Sequence, residues 1–177
     1  IAMRWSDKTH EFIRPVQWIV ALLGSEVLKF KLFDVDSNNY SFGHRFLSKG
    51  KSSLGKKFNV NLKTSIIDQY ENHNVLLDCL KREALIKQQL INYGQHNLDK
   101  DLLKEVVNLV EMPCLLKGEF DSKYLKLPDF VLIECMKKHQ RYFPLYLNGK
   151  LQPSFLVVAD NVTPENKKTI ISGNQNV

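Results

Sequence analysis

The chain has 177 residues, of which 44% are hydrophobic and 25% charged, and this balance excludes an intrinsically disordered protein. Its longest apolar run, Trp18 to Leu23, is far shorter than the roughly 20 residues that a membrane-spanning helix needs, so no membrane partner is expected. The formal net charge is +6, and residues 1–63 supply all of that excess, with 11 Lys and Arg against 5 Asp and Glu, whereas residues 64–177 hold 14 of each.

The first third is predicted to contain one short helix followed by strands. Proline at position 15 and Gly24 bracket an apolar pattern that indicates an amphipathic helix. In the next segment Leu28, Phe30 and Leu32 alternate with lysines, which predicts a strand with one buried face. Residues 40–46 alternate in the same way and are expected to pair with it, and residues 58–62 suggest another short strand.

The middle of the chain is predicted to be helical. Asp78 is a plausible N-cap for a helix that stops at Gly94, and Asp99 opens a second one after a short link. Such a link predicts an antiparallel helical hairpin. The apolar faces are expected to contain, in the first helix, Leu77, Leu80, Ala84 and Ile91 and, in the second, Leu103, Val106, Val107 and Val110.

The last third is predicted to hold a helix and a β-hairpin. Pro128 opens the helix, which ends in the cations Lys137, Lys138 and His139, with a buried face of Val131, Leu132, Cys135 and Met136. Strands over 143–147 and 151–158 flank Asn148-Gly149, the pair favoured in two-residue hairpin turns.

These elements predict an α+β fold with antiparallel strands flanking a central helical hairpin. Substructure is expected as a strand-rich basic part over 1–62, a helical part over 63–127, and a helix with a β-hairpin over 128–177. The chain begins with Ile1 and ends on a polar stretch, so we expect all of residues 1–177 to be a fragment of a longer protein.

Cysteines, histidines and glycines do not form any familiar reactive or ligand-binding pattern. The three cysteines, Cys79, Cys114 and Cys135, are odd in number and lack a CxxC spacing, which favours free thiols in a reducing cytoplasm. The five histidines are scattered, so no metal site is predicted. No phosphate-binding glycine motif is present, so no cofactor is expected in this chain.

Three polar segments are candidates for function, each with a structural alternative. Residues 48–57 read as a flexible basic loop, either solvated or in contact with phosphates. In the segment 43–46, one interpretation is that His44 or Arg45 contacts a nucleotide. The alternative is that His44 is half-buried in an aromatic cluster and Arg45 is solvated or paired. In the string 136–143, His139, Gln140 and Arg141 either face an anionic partner or follow a helix end capped by cations.

Several strings in order resemble the N-terminal part of the beta subunit of bacterial glycyl-tRNA synthetase. The most distinctive one is Met136 to Pro144, which includes His139 through Phe143. Departures are Ser6 in place of glycine, Met112 in place of tryptophan or tyrosine, Asn176 in place of arginine, and a lysine-rich 51–61. The other matching strings are Met3-Arg4-Trp5, Phe12 to Trp18 with Ala21 to Gly24, Gly43 to Phe46, Glu111-Met112-Pro113, Val158 to Asn161 and Gly173-Asn174-Gln175.

This resemblance implies a part of a cytoplasmic α2β2 enzyme that attaches glycine to tRNA(Gly) with ATP and Mg. The alpha subunit of that family carries the active site, and the beta subunit serves tRNA recognition. The fragment is therefore expected to be non-catalytic, with no catalytic residue and no cofactor of its own. Its implied partners are the alpha subunit, tRNA(Gly) and the remaining domains of the beta subunit.

The resulting hypothesis places Arg45, His139 and Arg141 on one polar surface that faces tRNA or another part of the synthetase. Arg4 and Arg14 are weaker members, and His44 and Gln140 accompany them. One alternative is a purely structural scaffold in which His44, Arg45 and Arg141 make buried hydrogen bonds. Another is an editing-like hydrolytic site around His139.

Overall fold

A computed structural model describes residues 3–4, 9–49 and 54–176 of the chain. The chain divides into two compact units, unit 1 over Ile1–His73 and unit 2 over Asn74–Val177. Both units combine strands with helices, which confirms the predicted mixture of α and β structure. The three-part subdivision at residues 62 and 127 stays a prediction.

Unit 1 consists of short strands in small sheets, with one helix at its end. Strands β3 and β7 pair in parallel, and the other strand pairs of the described part are antiparallel. The elements are β1 (Met3–Arg4), β2 (Glu11–Phe12), β3 (Ile19–Val20), β4 (Leu22–Leu23), β5 (Glu26–Val27), β6 (Lys31–Leu32), β7 (Val35–Asn38), β8 (Tyr40–Phe42), β9 (Lys57–Asn59) and α1 (Ile66–Glu71).

The helix predicted between Pro15 and Gly24 is wrong, because this segment forms β3 and β4. Strand β3 pairs with β7, and the amide of Ala21 continues that pairing by donating to the carbonyl oxygen of Asn38 at 3.1 Å. The β-branched residues Ile19 and Val20 suit a pleated strand better than a helix. A partner distant in sequence therefore overrides the local helical pattern.

The strand predicted over residues 28–32 is also wrong in its buried face. Leu28, Phe30 and Leu32 are each between 46% and 48% exposed, and only Lys31–Leu32 is a strand. Its partner is β7 instead of residues 40–46. Strand β8 covers only the start of that second segment and pairs with β9, which confirms part of the strand predicted over 58–62.

Unit 2 has one three-stranded antiparallel sheet with helices on both faces. The strand order is β10-β12-β11, so β12 is central. The elements are α2 (Cys79–Ile91), α3 (Lys100–Val107), β10 (Cys114–Glu119), a 3-10 turn (Ser122–Lys126), α4 (Asp129–Glu134), a π-helical turn (Cys135–Gln140), β11 (Phe143–Leu147), β12 (Lys150–Ala159) and α5 (Lys167–Gln175).

Several local predictions for unit 2 are confirmed. Asp78 and Asp99 accept amide hydrogen bonds as the N-caps of α2 and α3. Asn148 and Gly149 have φ angles of 51° and 75°, and they join β11 to β12 as a two-residue turn with both residues left-handed. The predicted apolar stripe of α3, from Leu103 to Val110, is buried as expected.

One predicted apolar face is wrong, and a second is only partly correct, since Leu132 and Met136 pack in the core but the other members do not. Helix α2 buries Ile86 and Leu90, whereas Leu80 and Ile91 of the expected face are exposed. In the helix that follows Pro128, Met136 is buried but Val131 and Cys135 are exposed. Within the part of the chain that the structure describes, no helix combines the length and the apolar character that a membrane crossing requires.

The core of unit 2 lies on both faces of its sheet. Alternate residues of a strand point to opposite faces, so Leu156 and Phe155 belong to different clusters. Leu156 packs with residues of α2 and α3, whereas Phe155 packs with Met136 and Tyr142. The segment between the π-helical turn and β11 is thus held against the second face of the sheet.

Candidate functional site

In unit 1 the turn over residues 43–48 is organised around a buried imidazole. His44 is 1% exposed, and its Nδ1 accepts hydrogen bonds from the backbone amides of Phe46 at 3.2 Å and Leu47 at 3.1 Å. Because Nδ1 accepts, the neutral ring carries its proton on Nε2. The hydroxyl of Ser48 donates to the carbonyl oxygen of His44 at 2.7 Å. The imidazole therefore fixes the turn instead of presenting itself on the surface.

Two glycines bring a second segment against this turn. A methyl group on Gly43 would lie 2.7 Å from Cβ of His73, and one on Gly55 would lie 2.3 Å from the carbonyl oxygen of Gly43. Gly55 also has a φ of 97°, which other residues rarely adopt. The amide of Lys56 donates to the hydroxyl of Ser48 at 3.0 Å, which places residues 55–57 beside the turn.

This packing surrounds the turn with exposed cations, and we refer to Arg45, Phe46, Lys49, Lys56 and Lys57 as the basic turn. The Phe46 ring is 60% exposed, with the Arg45 guanidinium carbon 5.6 Å from its centroid. The ammonium of Lys57 lies 3.4 Å from the centroid of the Tyr40 ring. Among the described residues, no carboxylate forms an ion pair with any of these four cations. The remainder of the predicted basic loop, residues 50–53, lies outside the described part.

In unit 2 the string that contains His139 to Arg141 closes a π-helical turn. The carbonyl oxygen of Met136 accepts from the amides of both Arg141 and Tyr142, the second at 2.8 Å. Arg141 has a φ of 57°, a left-handed conformation that costs a residue with a side chain roughly 1–2 kcal/mol. Widened turns of this kind are frequent at functional sites, as are strained residues.

Two ion pairs connect this turn to α3, one at the N-cap Asp99 and one at Glu105. The Lys137 Nζ lies 2.9 Å from Oδ2 of Asp99, and Nε of Arg141 donates to Oε1 of Glu105 at 2.7 Å. Lys138 pairs with Glu134. The hydrogen bond from Lys137, together with hydrogen bonds from backbone amides at the start of α3, holds the pKa of Asp99 below its ordinary value of 3.8. The basic side chains of this segment are thus paired, in contrast with those of the basic turn.

Arg141 performs the capping that the sequence suggested for Lys137 and Lys138. One terminal nitrogen of its guanidinium donates to the carbonyl oxygens of Lys138 at 2.7 Å and His139 at 3.2 Å. These carbonyls lie at the end of the helix, where they lack partners within it. His139 is exposed at this end, and Gln140 is half-buried.

Motifs that carry the family resemblance but lie far apart in the sequence contact one another in unit 2. The hydroxyl of Tyr142 donates to Oδ1 of Asn174 at 2.8 Å, and its ring stacks on Phe155 with centroids 4.3 Å apart. Burial raises the pKa of the Tyr142 phenol. Likewise, Oδ1 of Asp160 accepts from the amides of Glu111 at 2.6 Å and Met112 at 2.7 Å.

Arg4 and Arg14 are both exposed in unit 1. Arg4 lies opposite Glu11 in the pairing of β1 with β2, and Arg14 follows β2 in a bend. Trp5 and Ser6 lie outside the described residues. The hypothesis that Arg45, His139 and Arg141 share one surface joins residues of both units and stays a prediction.

The sequence did not identify the acidic partners of these sites. Asp99 was recognised only as an N-cap, and nothing in the local pattern linked Glu105 with Arg141, 36 residues later. Asp160 stood in a recognised string without an assigned contact. Each partner became visible only when the chain was folded, because each contact spans at least 36 residues.

Comparison with known proteins identifies the family. The family model of the glycyl-tRNA synthetase beta subunit matches residues 1–177. The glycine–tRNA ligase beta subunit of Clostridioides difficile is 42% identical over 96% of the chain, and that of Listeria monocytogenes serotype 4a is 38% identical over the whole chain. The beta subunit of Lactobacillus gasseri is 42% identical over 99% of the chain. The chain spans about a quarter of the length of each of these relatives. It belongs to the glycyl-tRNA synthetase beta subunit family.

Proposed function

We propose that this chain is a non-catalytic part of a glycyl-tRNA synthetase beta subunit that contributes to tRNA binding and to assembly of the enzyme. The observation that carries the tRNA contact is the basic turn of unit 1. In it, the exposed side chains of Arg45, Lys49, Lys56 and Lys57 surround the turn over residues 43–48, together with the exposed ring of Phe46.

The chemistry of the basic turn suits a phosphate backbone. Exposed cations attract phosphates by Coulomb forces and release condensed counterions, and an exposed ring offers a face on which an unpaired base can stack. No acidic neighbour among the described residues neutralises these cations by an ion pair. The net charge of residues 1–63 is also positive, with 11 Lys and Arg against 5 Asp and Glu.

The other proposed contact residues are Arg4 and Arg14 in unit 1, and His139, Gln140 and Arg141 in unit 2. Arg4, Arg14 and His139 are exposed, the two arginines as cations and His139 as a ring that can donate hydrogen bonds. The Arg141 guanidinium forms an ion pair with Glu105, so we propose that Arg141 positions His139 and Gln140 and does not itself contact the RNA. His44 supports the basic turn from within.

This part is proposed to contact the remaining domains of its own beta subunit, and the complete beta subunit to assemble with an alpha subunit in the cytoplasm. The complete enzyme would attach glycine to tRNA(Gly) with ATP and Mg. The chain itself has no phosphate-binding glycine motif, so we propose that the nucleotide for that reaction binds on the alpha subunit.

The basic turn can be tested in the complete enzyme with tRNA(Gly). Changing both Arg45→Glu and Lys56→Glu should weaken tRNA binding by about tenfold or more. It should also lower the slope of the logarithm of the binding constant against the logarithm of salt concentration by about one for each lost phosphate contact. Binding would be measured by filter retention at several salt concentrations.

Lys117→Glu is the matched control, since Lys117 is an exposed lysine of unit 2 that already pairs with Glu119. It should leave both the affinity and the salt slope near the values of the unchanged enzyme. An unaltered salt slope in the Arg45 and Lys56 variant would contradict the proposal.

A scaffold role is the second candidate, and the inward bonds of His44 and Arg141 favour it. If these residues only hold the fold, His44→Ala and Arg141→Ala should lower the melting temperature. Their tRNA affinity should then stay unchanged at temperatures where the protein is folded. His139→Ala separates the two functions, because the exposed His139 ring can contribute to RNA contact with little effect on stability.

A further inference from the structure

Unit 2 contains a cleft of about 390 Å³ between the π-helical turn and the end of α5. The stacked rings of Tyr142 and Phe155 lie along it, both buried. Phe120 and Tyr124 provide further aromatic surface, and the Tyr124 ring is 46% exposed. Gln140, Asn174, Gln175 and Asn176 bring carboxamide groups to the same cleft.

The lining of this cleft is aromatic and amide-bearing but uncharged. Among the described residues that line it there is no Asp, Glu, Lys, Arg or His. The carboxamide of Asn174 is committed to Tyr142 and to the carbonyl oxygen of Ile170. Those of Gln140 and Gln175, in contrast, have no hydrogen-bond partner within the described part of the chain. A flat, neutral ligand with both donors and acceptors on its edge fits this combination.

We propose that this cleft binds a single unstacked adenine base, with the sugar and phosphate left outside. A carboxamide carries one acceptor and two donor hydrogens, so it can pair with an edge of adenine that offers an amino group beside a ring nitrogen. Proteins that recognise unpaired bases combine such hydrogen bonds with stacking on aromatic side chains. Gln140 supplies the first of these and Tyr124 the second.

The charges near the cleft agree with this orientation of the nucleotide. The ammonium of Lys123 lies over one face of the exposed Tyr124 ring, 5.0 Å from its centroid. It pairs with Asp121 at 3.0 Å on an exposed surface, a pairing that solvent and salt weaken. A phosphate next to a base stacked on Tyr124 would therefore meet a cation, while the uncharged interior receives the base alone.

Cys135 gives a direct reporter of occupancy. Its thiol is exposed and belongs to the lining of the cleft, whereas the exposed Cys79 lies on α2 and lines a different groove. Maleimide labelling of both residues in the complete enzyme, followed by mass spectrometry of the peptides, measures the two rates in the same molecule. Adenosine monophosphate, a pentamer of adenylate, a pentamer of uridylate and tRNA(Gly) would be the probes.

Adenine-containing probes should slow labelling of Cys135 several-fold and leave Cys79 unchanged, and the uridylate pentamer should have little effect. Protection by adenosine monophosphate as strong as that by the adenylate pentamer indicates a free nucleotide as the natural source. Much stronger protection by RNA indicates an unstacked base of the tRNA, a source that rests on the proposed function. Absence of protection by any adenine-containing probe at millimolar concentration would overturn the proposal. So would a Cys135 that does not label at all, because another chain would then cover the cleft.

Substitutions test the two assigned contacts. Tyr124→Ala and Gln140→Glu should each raise the concentration of adenylate pentamer needed for protection by about tenfold, since one removes the stacking face and the other the amide donor. Gln88→Ala, at an exposed glutamine of α2, is the matched control and should change nothing. The half-buried Cys114 of β10 reports folding, because its slow labelling should stay unchanged in each variant if unit 2 remains folded.

This inference and the proposed tRNA contact can fail separately. Normal tRNA binding by the Arg45 and Lys56 variant, together with adenine protection of Cys135, would contradict the tRNA contact of the basic turn and support adenine binding in the cleft. Weaker tRNA binding by that variant, without adenine protection of Cys135, would contradict adenine binding in the cleft and support the tRNA contact of the basic turn.

Discussion

The two units bury different kinds of side chain. In the described part of unit 1, Val60 is the one hydrophobic residue that is fully buried, whereas Ser37, Ser41, His44 and Ser48 are buried polar residues. Unit 2 reverses this pattern, because its two clusters are apolar and Ser154 is its one buried polar residue within the described range.

The hydrogen bonds in unit 1 explain how it does without a large apolar core. The Ser37 hydroxyl donates to the carbonyl oxygen of Leu28 and accepts from the amide of Phe30, and Ser41 accepts from Trp18 and Tyr70. Edge-to-face aromatic pairs such as Trp18 with Phe42 add contacts between short strands. Unit 1 should therefore be sensitive to the loss of single polar groups, and unit 2 to the loss of apolar volume.

The largest effect is expected from Leu156→Ala in the central strand of unit 2. Leu156 is completely buried, and removal of such a side chain leaves a cavity that typically destabilises a protein by about 2–5 kcal/mol. Hydrogen exchange with mass spectrometry, in the full-length protein, would show which unit loses protection. We expect faster exchange throughout β10, β11 and β12 and little change in unit 1.

Leu147→Ala is the control for this prediction, since Leu147 lies in the neighbouring strand β11 but is 61% exposed. It should change protection by less than about 0.5 kcal/mol, as surface substitutions usually do. Equal effects of the two substitutions would contradict the idea that apolar burial stabilises unit 2.

The next effect is expected in unit 1, from Gly55→Ala. The new methyl group would meet the carbonyl oxygen of Gly43 at 2.3 Å, and a φ of 97° is unfavourable for alanine. Overpacking with such strain should destabilise the turn by about 2 kcal/mol. Faster hydrogen exchange of residues 43–48 would report it, together with weaker tRNA binding if the basic turn is the contact.

Gly24→Ala separates the clash from the backbone strain. Gly24 also has a positive φ of 59°, but a methyl group there meets nothing within 4 Å. It should therefore be the milder of the two substitutions. An effect as large as that of Gly55→Ala would show that backbone conformation, and not close packing, decides the outcome.

Ser41→Ala tests the buried hydrogen bonds of unit 1. The Ser41 hydroxyl accepts from Nε1 of Trp18 at 3.1 Å and from the hydroxyl of Tyr70 at 2.8 Å. Alanine leaves these donors without their acceptor, which costs about 1–3 kcal/mol when the groups stay buried. Urea unfolding followed by tryptophan fluorescence would measure it, and Ser25→Ala, at an exposed turn, should be nearly neutral.

The same contrast explains which parts of the fold were predictable. Helix caps and the Asn148-Gly149 turn depend on a few adjacent residues, and the sequence predicted them correctly. The short strands of unit 1 depend on partners elsewhere, such as β3 on β7, so the local apolar pattern suggested a helix instead. Strand β10 was not predicted, because its pairing with β12 joins segments about 40 residues apart.

The sequence indicated which polar segments to consider as a candidate site, but it did not predict their contacts. The strings around His44 and Arg141 were recognised from their chemistry and family resemblance. The burial of His44 and the bond from Arg141 to Glu105 follow from tertiary packing, which leaves no local periodic signal. Alternation of residues 40–46 predicted a strand through His44, but the strand ends at Phe42, and the buried ring lies in a turn 6.3 Å from the Phe46 ring.

The smallest effect is expected from the ion pair that ties the π-helical turn to α3. The Lys137 hydrogen bond lowers the pKa of Asp99 below 3.8, so the pair stabilises the folded state above that value and is lost as the pH falls through the lowered pKa. Both side chains are about one-third exposed, which limits the contribution to about 0.5 kcal/mol. Lys137→Met should therefore reduce the free energy of unfolding slightly at neutral pH, and its difference from the unchanged protein should vanish in strong acid. Urea unfolding at pH 7 and at a pH well below 3.8 would measure both values. A difference that persists in acid would mean that Lys137 stabilises unit 2 through the packing of its aliphatic chain and not through Asp99.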